Sequence, residues 1–281
     1  GIIKIIERYS RKPRQIYPLK YANVVFTGGE AFQLTLEDGT VVHLACERED
    51  IKEKWMIPAI KGELIGAIGV SEPGAGSDVA AITTKAVRDG DEYVISGQKT
   101  FISNGTRADF ITLAVRTGDS GARGISLVVF PTDTPGFQVG RRLEKLGNRA
   151  SDTGELFFDN CRVPVSNLIG EEGKGIHYIL SHFAGERLVI AAFAIGVMEH
   201  LIELGMEFAS NRKVFGQDLT SYQTWRHRFA KMATRLESTR HLTYHAADLL
   251  SKGHPSGEMA VSMAKLAAAE HVQAVTAEIM Q

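Results

Sequence analysis

The feature that most constrains this chain is a change of hydrophobic period at Gly170-Glu-Glu-Gly-Lys-Gly175. Before it, from Leu64 to about Gly170, apolar residues come in short runs punctuated by turn residues. Glu92-Tyr-Val-Ile-Ser96 follows Asp89-Gly90, and further runs lie at Asp109 to Arg116, Gly124 to Phe130 and Glu155 to Phe158. Short runs at such intervals predict a β-sandwich or barrel. After Gly175 the spacing moves to about 3.6 residues and predicts three long helices, near 176–210, 222–252 and 256–281, with Gly253-His-Pro255 separating the last two. The chain therefore reads as an α+β, multidomain protein. Its expected parts are an N-terminal segment 1–63, a β-domain 64–170 and an antiparallel helical bundle 171–281.

The front of the chain is less legible. Gly1 to Arg14 is basic and can form a short helix, while residues 31–44 alternate apolar and polar side chains around Asp38-Gly39, as a β-hairpin does. Glu49 to Ile60 returns to helical spacing through Ile51, Trp55 and Ile60, and Pro58 should break it near its end. The last helix runs to Gln281 without a Gly, Pro or Asn to cap it, as in a chain cut short or a fragment.

Composition removes several classes. A formal net charge of −1 over 281 residues, with Lys and Arg dispersed among Asp and Glu, leaves no basic footprint for nucleic acid. Cys46 and Cys161 are far apart, in neither metal-ligand nor disulfide-scaffold spacing, and read as reduced thiols; no metal site is expected. The longest apolar run, Leu188 to Met198, is shorter than the ~20 residues of a membrane span, and no targeting segment is visible.

Two stretches inside the β-region carry chemistry. The first, Gly66-Ala-Ile-Gly-Val-Ser-Glu-Pro-Gly-Ala-Gly-Ser-Asp78, begins as a short apolar strand and ends in a turn holding Pro73, Gly74, Gly76, Ser77 and Asp78. Glycine lets such a turn approach a flat or anionic ligand closely, and the same residues also make an ordinary tight hairpin. The second is Gly97-Gln-Lys-Thr-Phe-Ile-Ser-Asn-Gly105. In order and spacing, Val70-Ser-Glu-Pro-Gly-Ala-Gly-Ser-Asp78 and this second block resemble the flavin and acyl-CoA signatures of the acyl-CoA dehydrogenases. The resemblance runs from about Arg48 to the C-terminus.

That resemblance implies FAD as cofactor and an acyl-CoA thioester as substrate. Oxidation between Cα and Cβ needs a base for the Cα proton, polarisation of the carbonyl, and a hydride acceptor that no side chain can be. By resemblance, the backbone and hydroxyl of Ile68, Val70 and Ser71 face the flavin ring edge. Phe101 packs on the ring, with Ile102 and Ser103 beside it; read alone, Phe101 is more readily a core aromatic. Gly76 and Ser77 lie toward the cofactor and the acyl-CoA phosphates, although Ser77 could as well cap its own turn. Phe101 and Ser103 stand where many relatives have Trp and Thr. Asn211-Arg-Lys-Val-Phe-Gly-Gln217 and Gln223 resemble the segment that reaches the partner subunit's FAD, through Arg212, Phe215 and Gln223; a helix end with a solvated Arg is the bland alternative.

The candidate base begins from periodicity. Ile179, Phe183, Glu186, Ile190, Phe193 and Val197 form one stripe of the helix that starts near 176, five of them apolar and one an acid. Burying that acid should raise its pKa or demand a cation, and Arg187 lies ~100° away around the helix. Glu186 is then either a catalytic base or half of a buried ion pair. Ala184-Gly-Glu-Arg-Leu188 resembles the long-chain and isovaleryl-type enzymes, which carry the base here, with Arg187 beside the site. Phe183, Glu186, Arg187 and Ser77 are the expected substrate contacts. The resemblance further implies an electron-transferring flavoprotein as partner, a homodimer or homotetramer, and a bacterial cytoplasmic or mitochondrial matrix setting. Acyl-CoA oxidases and flavin monooxygenases share the architecture, and an incomplete module without catalysis is the rival of another class.

Overall fold

The computed structural model describes residues 31–35, 41–45 and 48–281, in two compact units: one within residues 22–181, the other comprising residues 182–281. The expected N-terminal helix, the Asp38-Gly39 turn and Cys46 lie outside the described residues. The hairpin strands are present. β1 (Ala31–Thr35) pairs antiparallel with β2 (Val41–Ala45), from Ala31 opposite Ala45 to Thr35 opposite Val41.

Residues 49–60 form α1, which contains a five-residue π-helical stretch, Lys52–Met56. Pro58 sits inside the final turn rather than ending it. Its ring would press on the carbonyl four residues back, at Lys54, and the wider π turn in that stretch relieves this crowding. Trp55 packs against Phe110 with ring centroids 5.3 Å apart, laying the helix on the sheet.

The sheet has eight strands: β3 (Gly66–Gly69), β4 (Lys85–Asp89), β5 (Glu92–Ser103), β6 (Phe110–Arg116), β7 (Ile125–Pro131), β8 (Phe137–Arg142), β9 (Thr153–Pro164) and β10 (Leu168–Ile169). Their order is β10-β7-β6-β4-β5-β9-β8, with β3 parallel to β6 and most other pairs antiparallel. β6 and β7 lie at the heart of it, and Ile125 through Phe130 are all buried. Tyr93, Ile95, Ile111, Leu113, Val128, Leu156 and Val163 complete one core. Phe130, Phe137 and Phe158 close it with centroids 5.0–5.4 Å apart.

β5 is longer than the run Glu92–Ser96 predicts, because Gly97 bends the strand without ending it. The β5–β9 register slips between Ile95 and Gly97, and a Cβ at Gly97, whose φ is +153°, would lie 2.6–2.8 Å from Thr84. Only glycine fits there. The strand therefore carries the second motif inside it.

The helices are α2 (Gly175–Asn211), α3 (Gln223–Ser251) and α4 (Gly257–Met280), close to the predicted bounds. Small side chains let them approach: Ala191, Ala194, Ala246, Ala260, Ala264 and Ala268 form one buried seam. Met198, Ile202, Met206, Phe229, Met232, Leu236 and Val275 form a second. By length and composition α2 is long and apolar enough to cross a membrane, with a window of mean hydropathy 1.8, so the short run Leu188–Met198 does not exclude a span as expected. Its apolar residues serve more than one face, and that raises the average.

Candidate functional site

The glycine-rich stretch folds as a two-residue turn beyond β3. Glu72 N–H donates to the Ala75 carbonyl at 2.9 Å and Ala75 N–H donates back to Glu72 at 3.1 Å. Gly74, Gly76 and Ser77 are exposed, and a Cβ built on either glycine meets no atom within 4 Å. The turn is thus a hairpin in form and an open rim in surroundings. Ile68 is 59% exposed, while Val70 and Ser71 are half-buried.

An ion pair that the sequence reading did not single out ties this stretch to the second motif. Lys99 Nζ lies 2.8 Å from Glu72 Oε1 and donates to the Val70 carbonyl at 3.0 Å, with the two side chains 0% and 3% exposed. Glu72 also accepts from Thr83 N–H at 2.7 Å, Thr83 Oγ1 at 2.8 Å and Thr84 N–H at 3.0 Å. Burial opposes ionisation of Glu72, yet the bonds from Lys99, Thr84 and Thr83 outweigh it and bring its pKa down to about 2. Burial draws the lysine's pKa down, and the carboxylate beside it opposes that. Next to the pair, Thr100 N–H donates to the Ser71 carbonyl at 2.9 Å. One acid in the first motif and one lysine in the second, opposite charges in two blocks expected to lie close together, were the available signal.

Phe101 follows at once, with φ +60° and its ring 68% exposed. A bulky side chain in the left-handed region is costly and persists where its surroundings enforce it. The core reading of Phe101 is therefore set aside. Ile102 differs from it: at 2% exposure its side chain belongs to the β core, leaving its backbone for a ligand. Ser103 is exposed. Beyond it, Asn104 also has φ +60°, and Asp152 holds the turn by accepting from Thr106 N–H at 2.9 Å and Thr106 Oγ1 at 2.7 Å, with Arg107 3.0 Å away. Burial works against the Asp152 carboxylate, but those contacts hold its pKa below the usual range. Phe101 also borders a groove of about 410 Å³ lined by Arg141, Arg142, Leu143, Glu144, Lys145 and Thr153.

On the helical unit the stripe argument needs correction. Glu186 is exposed, as are Ile190 and Phe193, because α2 turns Ala184, Ala191, Ala194, Ile195 and Met198 inward instead. The run Leu188–Met198 is apolar on two faces, so periodicity alone could not choose between them. Being exposed, Glu186 is not half of a buried ion pair. Arg187 lies over the Phe183 ring, 5.8 Å from its centroid. His182, one turn before Glu186, has its pKa lowered by burial, with Glu186 opposing.

Arg212 and Phe215 lie at a small hairpin rather than a plain helix end. β11 (Lys213–Val214) pairs with β12 (Gln217–Asp218) around Phe215-Gly216, whose φ values of +49° and +79° have the signs of a type I′ turn. Tyr222 Oη donates to the Val214 carbonyl at 2.5 Å and braces it. Phe215 is 94% exposed; Arg212 and Gln223 are exposed as well.

A mixed sheet whose two motifs are stitched by a buried ion pair is followed in sequence by long helices, and comparison identifies the family with this architecture. Residues 67–161 match the family model "Acyl-CoA dehydrogenase, middle domain", and residues 173–281 match "Acyl-CoA dehydrogenase, C-terminal domain". The chain belongs to the acyl-CoA dehydrogenase family. It is 41% identical over 228 residues to an acyl-CoA dehydrogenase of Bacillus subtilis, covering 81% of this chain and 60% of that protein. With cyclohexane-1-carbonyl-CoA dehydrogenase of Geobacter metallireducens it shares 40% over 232 residues, covering 83% and 61%. A probable acyl-CoA dehydrogenase from Mycobacterium abscessus superposes with a TM-score of 0.81 at 43% identity, over 83% of this chain and 61% of that one. The chain thus spans about three fifths of the length of these relatives. Helix α2 falls inside the C-terminal domain match.

Proposed function

We propose that this chain binds FAD and an acyl-CoA thioester and contributes to α,β-dehydrogenation of the acyl group, giving a trans-2-enoyl-CoA. The observation that carries the reading is the Lys99–Glu72 tie, which sets the backbone of Val70 and Ser71 beside Thr100 and the exposed, strained Phe101. Exposed apolar side chains at Ile68 and Phe101, with hydroxyls at Ser71 and Ser103, suit a flat ring that has a polar edge. FAD, when bound, supplies the hydride acceptor that the side chains lack.

In this reading Ile68 and Phe101 pack on the ring, Val70 and Ser71 meet its edge, and the backbone at Ile102 and the Ser103 hydroxyl bond beside it. Gly76 and Ser77 offer backbone N–H groups and a hydroxyl to phosphate oxygens. Glu186 takes the Cα proton, Arg187 orients the carboxylate's surroundings, and Phe183 bears on the acyl chain. Exposure of Glu186 leaves it free to meet substrate. Arg212, Phe215 and Gln223 serve the FAD of a neighbouring subunit in a homodimer or homotetramer, which suits an aromatic at a hairpin tip. Electrons leave to an electron-transferring flavoprotein, in a bacterial cytoplasm or a mitochondrial matrix.

The test is the visible spectrum of the purified chain, alone and after anaerobic addition of an acyl-CoA. Flavin absorption that bleaches with substrate is the expected result. A colourless chain that takes up no added FAD overturns the reading, and peroxide release in air would reassign the activity to an oxidase.

A further inference from the structure

We propose that the buried Lys99–Glu72 pair is a positioning clamp for the flavin-facing wall, holding the peptide between Val70 and Ser71 in one orientation against Phe101. The proposal rests on the flavin reading above and deepens it, assigning a positioning role to two residues that do not themselves face the ring in that reading. Lys99 Nζ uses one donor on Glu72 Oε1, at 2.8 Å, and another on the Val70 carbonyl, at 3.0 Å. Because a trans peptide points its C=O and N–H in opposite directions, anchoring the Val70 carbonyl on a buried ammonium aims the Ser71 N–H away from it. The next carbonyl along, that of Ser71, is taken by Thr100 N–H at 2.9 Å. Two consecutive carbonyls are thereby fixed from β5, immediately before the left-handed Phe101.

Glu72 is what keeps the ammonium in place. Its two oxygens accept four hydrogen bonds, one from Lys99 and three from Thr83 and Thr84, so the carboxylate is locked to the segment before β4. A buried pair of this sort is poor evidence of added stability, since apolar residues of like volume commonly hold a fold as well. Its directionality is what an apolar pair cannot reproduce. Stability and cofactor positioning should accordingly come apart when both charges are removed together.

The experiment compares the full chain with the double variant Glu72→Gln/Lys99→Met, which strands no charge. Thermal unfolding, FAD titration and amide hydrogen exchange at Thr100 in the FAD-free protein are read on both. The clamp predicts a folded double variant whose FAD Kd rises at least ~10-fold, the scale of one misplaced charge-assisted contact, with faster exchange at Thr100. A folded double variant with wild-type FAD affinity and wild-type exchange overturns the clamp and leaves the flavin reading standing. Should the wild-type chain bind no FAD, the flavin reading fails and takes the clamp's purpose with it. If the double variant does not fold, Thr83→Val removes one donor to Glu72 and neither charge, and must raise Thr100 exchange ~3-fold or more; unchanged exchange there counts against the clamp.

Discussion

The β unit and the helical unit hold their candidate residues in different ways. In the β unit, Val70, Ser71, Phe101 and Ser103 are brought together by bonds within that unit, through Lys99, Glu72, Thr100 and Asp152. In the helical unit Glu186, Arg212, Phe215 and Gln223 are exposed on separate elements, and local braces such as Tyr222 on Val214 and Arg187 over Phe183 hold their neighbourhoods. A site whose geometry is built in tolerates little change in its supports. Residues presented on an open surface can change with little cost to the fold, and their importance must show in binding or turnover. Mutations in the two units should therefore separate stability from function in opposite ways.

The largest expected effect is Glu186→Gln. As an exposed residue it should leave unfolding almost unchanged, within about 0.5 kcal/mol, while flavin reduction by acyl-CoA slows about 10²–10⁴-fold. Stopped-flow anaerobic reduction reads the rate, and a variant reduced as fast as wild type removes Glu186 as base. Lys99→Met alone is the counterpart in the β unit. It strands the Glu72 carboxylate in the core and should cost about 3–5 kcal/mol, readable by urea denaturation. A loss under about 1 kcal/mol would mean that the carboxylate finds water or protonates, and that the β site is looser than its contacts imply.

Acid titration probes the same contrast without mutation. Glu72 falls from an ordinary 4.5 to about 2 in the folded chain. A lowered folded pKa contributes stability that is fully present above about 4.5 and is lost as pH falls toward about 2. Unfolding free energy followed from neutral pH downward should show this loss in the wild type, and the double variant Glu72→Gln/Lys99→Met should lack that component. Identical acid limbs would assign the loss to other carboxylates, Asp152 first among them.

Phe101→Ala ranks next. With its ring 68% exposed there is little cavity to create, so stability should change by no more than about 1 kcal/mol, while FAD affinity falls about tenfold through loss of the stacking face. Equal stability loss in the presence and absence of FAD would return Phe101 to an ordinary packing role.

What the sequence disclosed follows from how each feature is encoded. The three helices and the main strands were legible because their periods are local, and Gly97 and the Phe101–Ser103 segment could be placed inside one block. The clamp was not, because Glu72 and Lys99 meet only through pairing of segments distant in sequence. The inward face of α2 was misread for a related reason. Alanines carry little weight in an apolar stripe, yet Ala184, Ala191 and Ala194 form the buried side, where small residues let helices come close, while Ile190 and Phe193 face outward. The inward face mixes these alanines with Ile195 and Met198, so a search for large apolar residues alone passes over it.

The smallest effect is expected at the tip of the β11–β12 hairpin, and it offers the cleanest separation. Phe215 occupies a left-handed position of a turn that prefers Asn-Gly, with Gly216 already in the second place. Phe215→Asn should therefore stabilise the chain slightly, by about 0.5–1 kcal/mol, since asparagine tolerates that conformation and a 94% exposed ring contributes little packing. If the ring instead covers the cofactor of a neighbouring subunit, FAD affinity of the assembled protein should drop about 2- to 10-fold in the same variant. Stability and cofactor binding would then move in opposite directions at one residue. Calorimetry of the FAD-free chain, paired with FAD titration at a concentration where the oligomer persists, measures both. A variant that gains stability and loses no affinity leaves Phe215 as an exposed turn residue without a cofactor role, and the cross-subunit reading would then rest on Arg212 and Gln223 alone.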